Sequence, residues 1–189
     1  MLIGKLVRLR AIDVKKDTDL FTEWMNDYEV AKFMGGAFMP MSKEKERKEL
    51  QRFMNDERVR IFAVETLTGG NLIGSISLMQ VSHIDGTATT GTLIGDKRYW
   101  RKGFATDAKM VLLHYAFSVL NLRRISTRIV AENIGSIRCQ EKCGYVREGI
   151  WKKELYTEGR YRDMVLLAVF RKGWMGRWHA YMGHKKQAR

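Results

Sequence analysis

Proline, cysteine and long apolar stretches are the chief shortages of this 189-residue chain. A single proline, Pro40, leaves no proline-rich linker, and no internal repeat or low-complexity segment divides the sequence. One domain is therefore expected. No apolar run reaches the roughly eighteen residues of a membrane helix, so no membrane span is expected. Lys5, Arg8 and Arg10 interrupt MLIGKLVRLRAID and break up any signal-peptide core. The segment reads instead as an edge or near-edge strand of a cytoplasmic protein. The two cysteines, Cys139 and Cys143, lie four apart with no second pair or histidine at zinc spacing. They read as two small side chains on one short helix in a reducing compartment, and no metal site is expected. Acidic residues are also scarce, 21 against 34 Lys and Arg, for a net charge of +13. From Arg171 to Arg189 there are six Lys/Arg and no Asp/Glu. Such a surplus favours polyanionic partners (a phosphate-bearing cofactor, nucleic acid, a ribosome) or is simply a solvated basic surface.

What is present is an ordinary globular composition, 45% hydrophobic. Leu6 to Ala11 alternates apolar and basic residues as a strand does. Asp17 reads as the cap of a helix through DLFTEWMND, and Ser42 as the cap of a second through KEKERKELQRFM. The period then changes to strands at Arg60 to Thr66, Leu72 to Val81 and Thr87 to Ile94, with turns at Gly69-Gly70 and Asp85-Gly86. Ala105, Ala108, Leu112, Tyr115, Ala116 and Val119 recur at helical spacing. A strand over Ile125 to Ala131 follows, then a helix over Ser136 to Lys142 ended by Gly144. Strands over Tyr145 to Lys152 and Tyr161 to Phe170 close the chain, joined through Thr157-Glu158-Gly159. This order describes an α/β (α+β) domain with helices packed on one central sheet.

The chemically informative segment is GTLIGDKRYWRKGFATDAKMVLLHYAF, Gly91 to Phe117. A strand runs through the turn Arg101-Lys102-Gly103-Phe104-Ala105 directly into a helix. The first N–H groups of a helix are unpaired and its dipole favours negative charge there. Gly103 and the small Ala105 let a phosphate approach the backbone, and Arg101 and Lys102 add cations. The spacing fits neither a dinucleotide fingerprint nor a P-loop, since both G-x-G-x-x-G and G-K-[ST] are missing.

The stretch IGDKRYWRKGFATDA resembles the acyl-CoA-binding motif of the GNAT acetyltransferases in their RimJ/RimL-like branch. AENIGSIRCQEKCGYVREG is similar to the family's N-x-x-S/A stretch, followed by a helix and a Gly-aromatic pair, here Gly144-Tyr145. The opening LVRLRAIDVKKDTDLFTEWMNDYEV and the closing ELYTEGRYRDMVLLAVFRKGW agree as well, so the likeness covers roughly residues 2 to 174. It implies a GNAT-like domain over 1–174 and a basic aromatic tail over 175–189. It implies a mixed, mostly antiparallel sheet whose middle strands splay apart, with helices on both faces. Acetyl-CoA would be the acyl donor, its arm paired with Leu93, Ile94 and Gly95. Its pyrophosphate would lie on Arg101, Lys102, Gly103, Phe104, Ala105 and Thr106. Asn133 matches the family position whose amide touches the cofactor arm or orders a water. Asn133 and Ser136 are the candidate catalytic residues, and Asn133 is equally a favoured helix cap.

The chain departs from the family pattern where a Tyr often stands seven residues after the Asn, since Gln140 is there. It departs again where a Glu commonly precedes the strand's glycine, since Thr89 and Thr90 stand before Gly91. The remaining acid–base candidates are His83 and Asp85 in a turn, Glu65, and Tyr156 or Tyr161 of the closing hairpin. No Ser-His-Asp order or Cys-His pairing stands out, so direct attack by an amine in a ternary complex is expected. The acceptor is a small molecule or a protein N-terminus, and the basic charge disfavours polycations. Two other functions are compatible with the sequence: a catalytically silent CoA-binding module, and a ribosome- or nucleic-acid-binding protein using the tail. Trp174, Trp178 and Tyr181 suit docking of a terminal helix onto its own domain or onto a second subunit in a homodimer.

Overall fold

Alternation along β1 (Val7–Arg10) sends Val7 and Leu9 into the core, while Arg8 and Arg10 reach across to the buried Glu65. The computed structural model describes residues 2–34 and 38–183. The basic residues Lys185, Lys186 and Arg189 of the tail lie outside the described residues, as do residues 35–37 of the loop before Pro40. After β1 come α1 (Val14–Asn26), the short α2 (Tyr28–Ala31) and α3 (Lys43–Asn55). A meander follows, β2 (Arg60–Thr66), β3 (Leu72–Ser82) and β4 (Thr87–Ile94). Then come a 3-10 turn (Lys97–Tyr99), α4 (Phe104–Ser118), β5 (Arg124–Val130), α5 (Ile134–Lys142), β6 (Val146–Thr157), β7 (Arg160–Phe170) and α6 (Trp174–Met182).

The strands form one sheet in the order β1-β2-β3-β4-β5-β7-β6, antiparallel throughout except between β4 and β5. The expected mixed, mostly antiparallel sheet is thus present, with β1 at one edge. Successive strand residues point to opposite faces. Val64 therefore joins the large core under α4, while Ala63 joins a smaller one with Phe21, Trp24, Val30 and Leu50 of the first three helices.

Helix α4 is buried on nearly every side from Asp107 to Leu113, being enclosed by the sheet, α5 and α6. The expected apolar stripe undercounts this, and Val119, placed on the stripe, is exposed beyond the helix end. Helix α6 docks on its own domain through aromatic contacts. Trp178 stacks on His114 at 4.3 Å between centroids, Trp174 meets Phe117 edge-on, and Trp174 Nε1 donates to Cys143 O at 2.8 Å.

The cap of α1 is Asp13, whose side chain accepts from Lys15 and Lys16 N, and not Asp17 as the sequence suggested. Asp17 sits inside the first turn, buried, where it accepts from Asp13 N and takes a two-pronged bond from Arg10. A carboxylate in the first turn gains from the same dipole as a cap does, so the two positions carry similar sequence signals. Ser42 caps α3 as expected, accepting from Lys45 N.

Candidate functional site

Strands β4 and β5 pair only at Thr87–Arg124, Ala88–Ile125 and Thr89–Ser126. Beyond this, β4 stays with β3 as far as Ile94, and β5 stays with β7 as far as Val130. The strands part where Thr127 Oγ1 donates to Thr90 O (3.2 Å) and the buried Tyr145 hydroxyl meets Thr90 Oγ1 (3.3 Å). Burial, first, and then the neighbouring thiols hold the Tyr145 hydroxyl well above its ordinary range, against the lowering effect of Thr90, so it stays protonated.

In a strand the N–H and C=O of one residue face the same side. Gly95 N donates to Ile73 O on β3, and Leu93 O is turned to Gly74 on β3. Thr90 O faces β5. By this alternation Thr92 and Ile94 present their peptides to the gap, and Leu93 and Gly95 do not. Of the three residues expected to line the arm, Ile94 therefore faces the gap, with its carbonyl already bonded to Trp100 Nε1 at 2.7 Å. Thr92, which the sequence reading passed over, does so too, and its buried Oγ1 has no partner among the described residues. Gly95 has another task, because a side chain there would run into the Trp24 indole that seals α1 over the end of β4.

After the 3-10 turn the chain makes a tight reversal, with Arg101 at φ 59° and Gly103 at φ 90°. Gly103 is the N-cap residue of α4. The backbone N–H groups of Arg101, Lys102, Gly103, Phe104, Ala105 and Thr106 donate to no other described residue. Arg101 and Lys102 are exposed and form no ion pair among the described residues. Unpaired donors, a helix dipole and two free cations at the end of an open strand edge fit a diphosphate with an extended amide arm. The residues present thus suit acetyl-CoA.

The opposite rim carries Asn133 at the start of α5. Its Oδ1 accepts from Ser136 N at 3.1 Å, so it caps the helix and leaves its amide nitrogen without a partner among the described residues. Gln140 is buried with Oε1 unpartnered among the described residues. His83 and Asp85 lie in the β3–β4 turn at the other end of β4 from the cradle, where Asp85 accepts from Ser82. Glu65 is held by Arg8 and Arg10 on β1. Tyr156 and Tyr161 face one another on the exposed hairpin, 5.0 Å between centroids.

Two residues of α4 that the sequence reading missed shape this cradle from below. Asp107, wholly buried, accepts from Lys5, Leu6 and Val7 N at 2.7–2.9 Å and from the Tyr181 hydroxyl at 2.6 Å. Lys109 is also wholly buried, and its Nζ has no hydrogen-bond partner among the described residues. A charged residue inside ATDAKMVLLHYAF was the available signal, since an apolar run that long leaves no solvent-facing side.

Burial pushes the Lys109 ammonium down to about 8 from its ordinary 10.5. Below pH 8 both folded and unfolded chains hold the proton, and the cost of burying it is borne in full. Between about 8 and 10.5 the unfolded chain alone holds it, so stability rises with pH. Lys109→Met, close in volume, is expected to be more stable at pH 7, by on the order of 2–3 kcal/mol. That advantage shrinks by pH 9.5, which unfolding midpoints at the two pH values will test.

A protein-family model described as the acetyltransferase (GNAT) domain matches residues 7–146. The probable N-acetyltransferase YjcK of Bacillus subtilis is 36% identical over 122 residues, 63% of this chain and 65% of that protein. Spermidine N(1)-acetyltransferase of Vibrio cholerae is 30% identical over 126 residues, 67% of this chain and 72% of that protein. Among solved structures, spermidine N-acetyltransferase from Vibrio cholerae in complex with CoA and spermine superposes with a TM-score of 0.81. It is 26% identical, and the match covers 89% of this chain and 98% of that one.

Proposed function

The chain belongs to the GNAT acetyltransferase family and is an acetyl-CoA-dependent N-acetyltransferase, and from this premise we propose an acceptor that is not a polycation. The acceptor in this reading is a primary amine on a neutral or anionic body, a protein N-terminus or an amino sugar. The observation that carries it is the pairing of the carboxylates at α2, just after β5 and in the β6–β7 turn. Asp27 is paired with Lys97, Glu29 with Lys32, and Glu132 and Glu158 both with the buried Arg162. A polyamine would meet no unpaired carboxylate among these four, on a chain of net charge +13. A second reading, spermidine or spermine as acceptor, is favoured by the names of the Vibrio cholerae relatives.

In either reading the neutral amine nitrogen attacks the thioester carbon, the N–C bond forms, the C–S bond breaks, the nitrogen gives up one proton, and the CoA thiolate leaves and takes one up. Thr92 and Ile94 N–H would hold the arm. The amide nitrogen of Asn133 would position the arm or a water, and the Ser136 hydroxyl would pass the proton through water. Catalysis then comes mainly from positioning.

Acetyl-CoA at a hundred times its Kd is expected to raise the unfolding midpoint by about 5–10 °C. CoA release would then be followed with N-terminal peptides, an amino sugar phosphate and spermidine, and in the Asn133→Ala and Ser136→Ala variants. Turnover of the first two at least tenfold above spermidine supports the proposal. Preference for spermidine replaces it with the second reading, and full turnover in both variants removes the two residues from the mechanism.

A further inference from the structure

Helix α5 carries Cys139 and Cys143 one turn apart and presents both sulfurs to the first turn of α4. Thr106 Oγ1 donates to Cys139 Sγ at 3.5 Å, and Cys143 Sγ donates to Thr106 O at 3.7 Å. Cys143 is fully buried, while Cys139 keeps part of its surface exposed, so of the two it lies nearer to solvent. Less than one turn further along α4 lies Lys109, wholly buried, its Nζ 6.0 Å from the centre of the Tyr145 ring and without a hydrogen-bond partner among the described residues; burial lowers its pKa and the two thiols oppose that. A buried ammonium without a partner stabilises a nearby thiolate and is stabilised by it. The Cys143 thiol, and then Thr106 and Lys109, favour ionisation of Cys139 against the opposing effect of its burial, while Cys143 is held as the thiol. One sulfur is therefore prepared as nucleophile and its neighbour as the resolving group.

We propose that Cys139 and Cys143 are a dithiol modification site for hydroperoxides whose oxidation weakens the acetyl-CoA cradle. The Cys139 thiolate attacks the hydroperoxide oxygen, an S–O bond forms, the O–O bond breaks, and the alkoxide leaves with a proton as ROH. The Cys143 thiol then attacks the sulfenic sulfur, the S–S bond forms, the S–O bond breaks, and water leaves. The two thiols are oxidised by two electrons and the hydroperoxide is reduced. Side chains four apart on a helix have Cβ atoms about 5–6 Å apart, and a disulfide draws them to about 4 Å. Cys143 is the C-cap residue, followed by Gly144 at φ 98°, so the helix yields at that end. Both sulfurs then turn away from Thr106, and the first turn of α4 loses its contacts with α5. This consequence rests on the reading of that turn as the phosphate cradle.

The full chain would be treated with hydrogen peroxide and its thiols, intact mass and acetyl-CoA Kd measured before, after, and after reduction with dithiothreitol. The expected result is loss of both free thiols, a mass lower by two hydrogens, and a Kd raised roughly tenfold and restored by reduction. In Cys143→Ser the reaction stops at a sulfenic acid on Cys139, which dimedone captures. Lys109→Met keeps both thiols and reacts with peroxide at least tenfold more slowly. Two thiols still titratable after peroxide would overturn the proposal, as would a disulfide that leaves the Kd unchanged. Reduced protein that does not bind acetyl-CoA would overturn the cradle reading, and the mass and thiol count would then decide the dithiol separately.

Discussion

Gly103→Val is expected to raise the KM for acetyl-CoA by about a hundredfold while leaving a folded protein. A side chain at this position has room, since an added Cβ would lie 3.7 Å from Leu6 Cδ1, an ordinary contact. The obstacle is the backbone, which stands at φ 90°. A β-branched residue there costs about 1–3 kcal/mol, or else the turn changes and the unpaired N–H groups lose their common direction. Added to that is the bulk of the side chain where a phosphate would approach, worth about 1.5–3 kcal/mol per charge-assisted hydrogen bond lost. Each 1.4 kcal/mol is about tenfold in affinity, so the two together reach roughly two orders of magnitude. Asn, which tolerates the left-handed region, should fall in between. Steady-state kinetics with acetyl-CoA as the varied substrate, beside a thermal melt of the free protein, test this. An unchanged KM would mean that the diphosphate lies elsewhere.

Asp107→Ala is expected to lower the unfolding midpoint by about 8–16 °C, the largest stability loss anticipated for a single polar side chain of α4. The carboxylate collects three consecutive backbone N–H groups from the segment leading into β1 and the Tyr181 hydroxyl from α6. It thereby ties both ends of the described chain to the first turn of the cradle helix. Its removal leaves buried donors without an acceptor, at about 1–3 kcal/mol each, less whatever water restores. A net loss of about 4 kcal/mol corresponds to that fall in a domain of this size. Asp107→Asn should recover only part, because its NH₂ group would face N–H donors. Acetyl-CoA binding should weaken in parallel, since the turn is anchored by the same residue. A fall of less than about 3 °C would show that the segment before β1 is held chiefly by packing.

The backbone order was legible because it rests on local regularities. The alternation of Leu6 to Ala11, the glycine-rich reversals between strands, and Ser42 before an amphipathic helix are all short-range signals. The cradle was legible for a related reason: unpaired N–H groups at a helix start, a glycine in the left-handed region and two cations form one contiguous stretch, Arg101 to Thr106. The short helix α2 and the 3-10 turn were missed, each being too short to display a period. The first cap was misassigned because Asp13 and Asp17 both satisfy the same electrostatic preference within one turn.

What the sequence by itself determined is the set of elements and the segment able to receive a diphosphate, since both depend on residues close together in the chain. Which peptides of β4 face the gap was decided only by the tertiary structure, because that depends on how the strand is paired with β3 and where it leaves β5. The same holds for Asp107, Lys109 and the two cysteines. Asp107 meets its backbone donors about a hundred residues away. Lys109 loses its solvent only when the sheet, α5 and α6 close around α4. A charge's chemistry follows from its dielectric surroundings and its partners, and both are assembled here from segments distant in sequence.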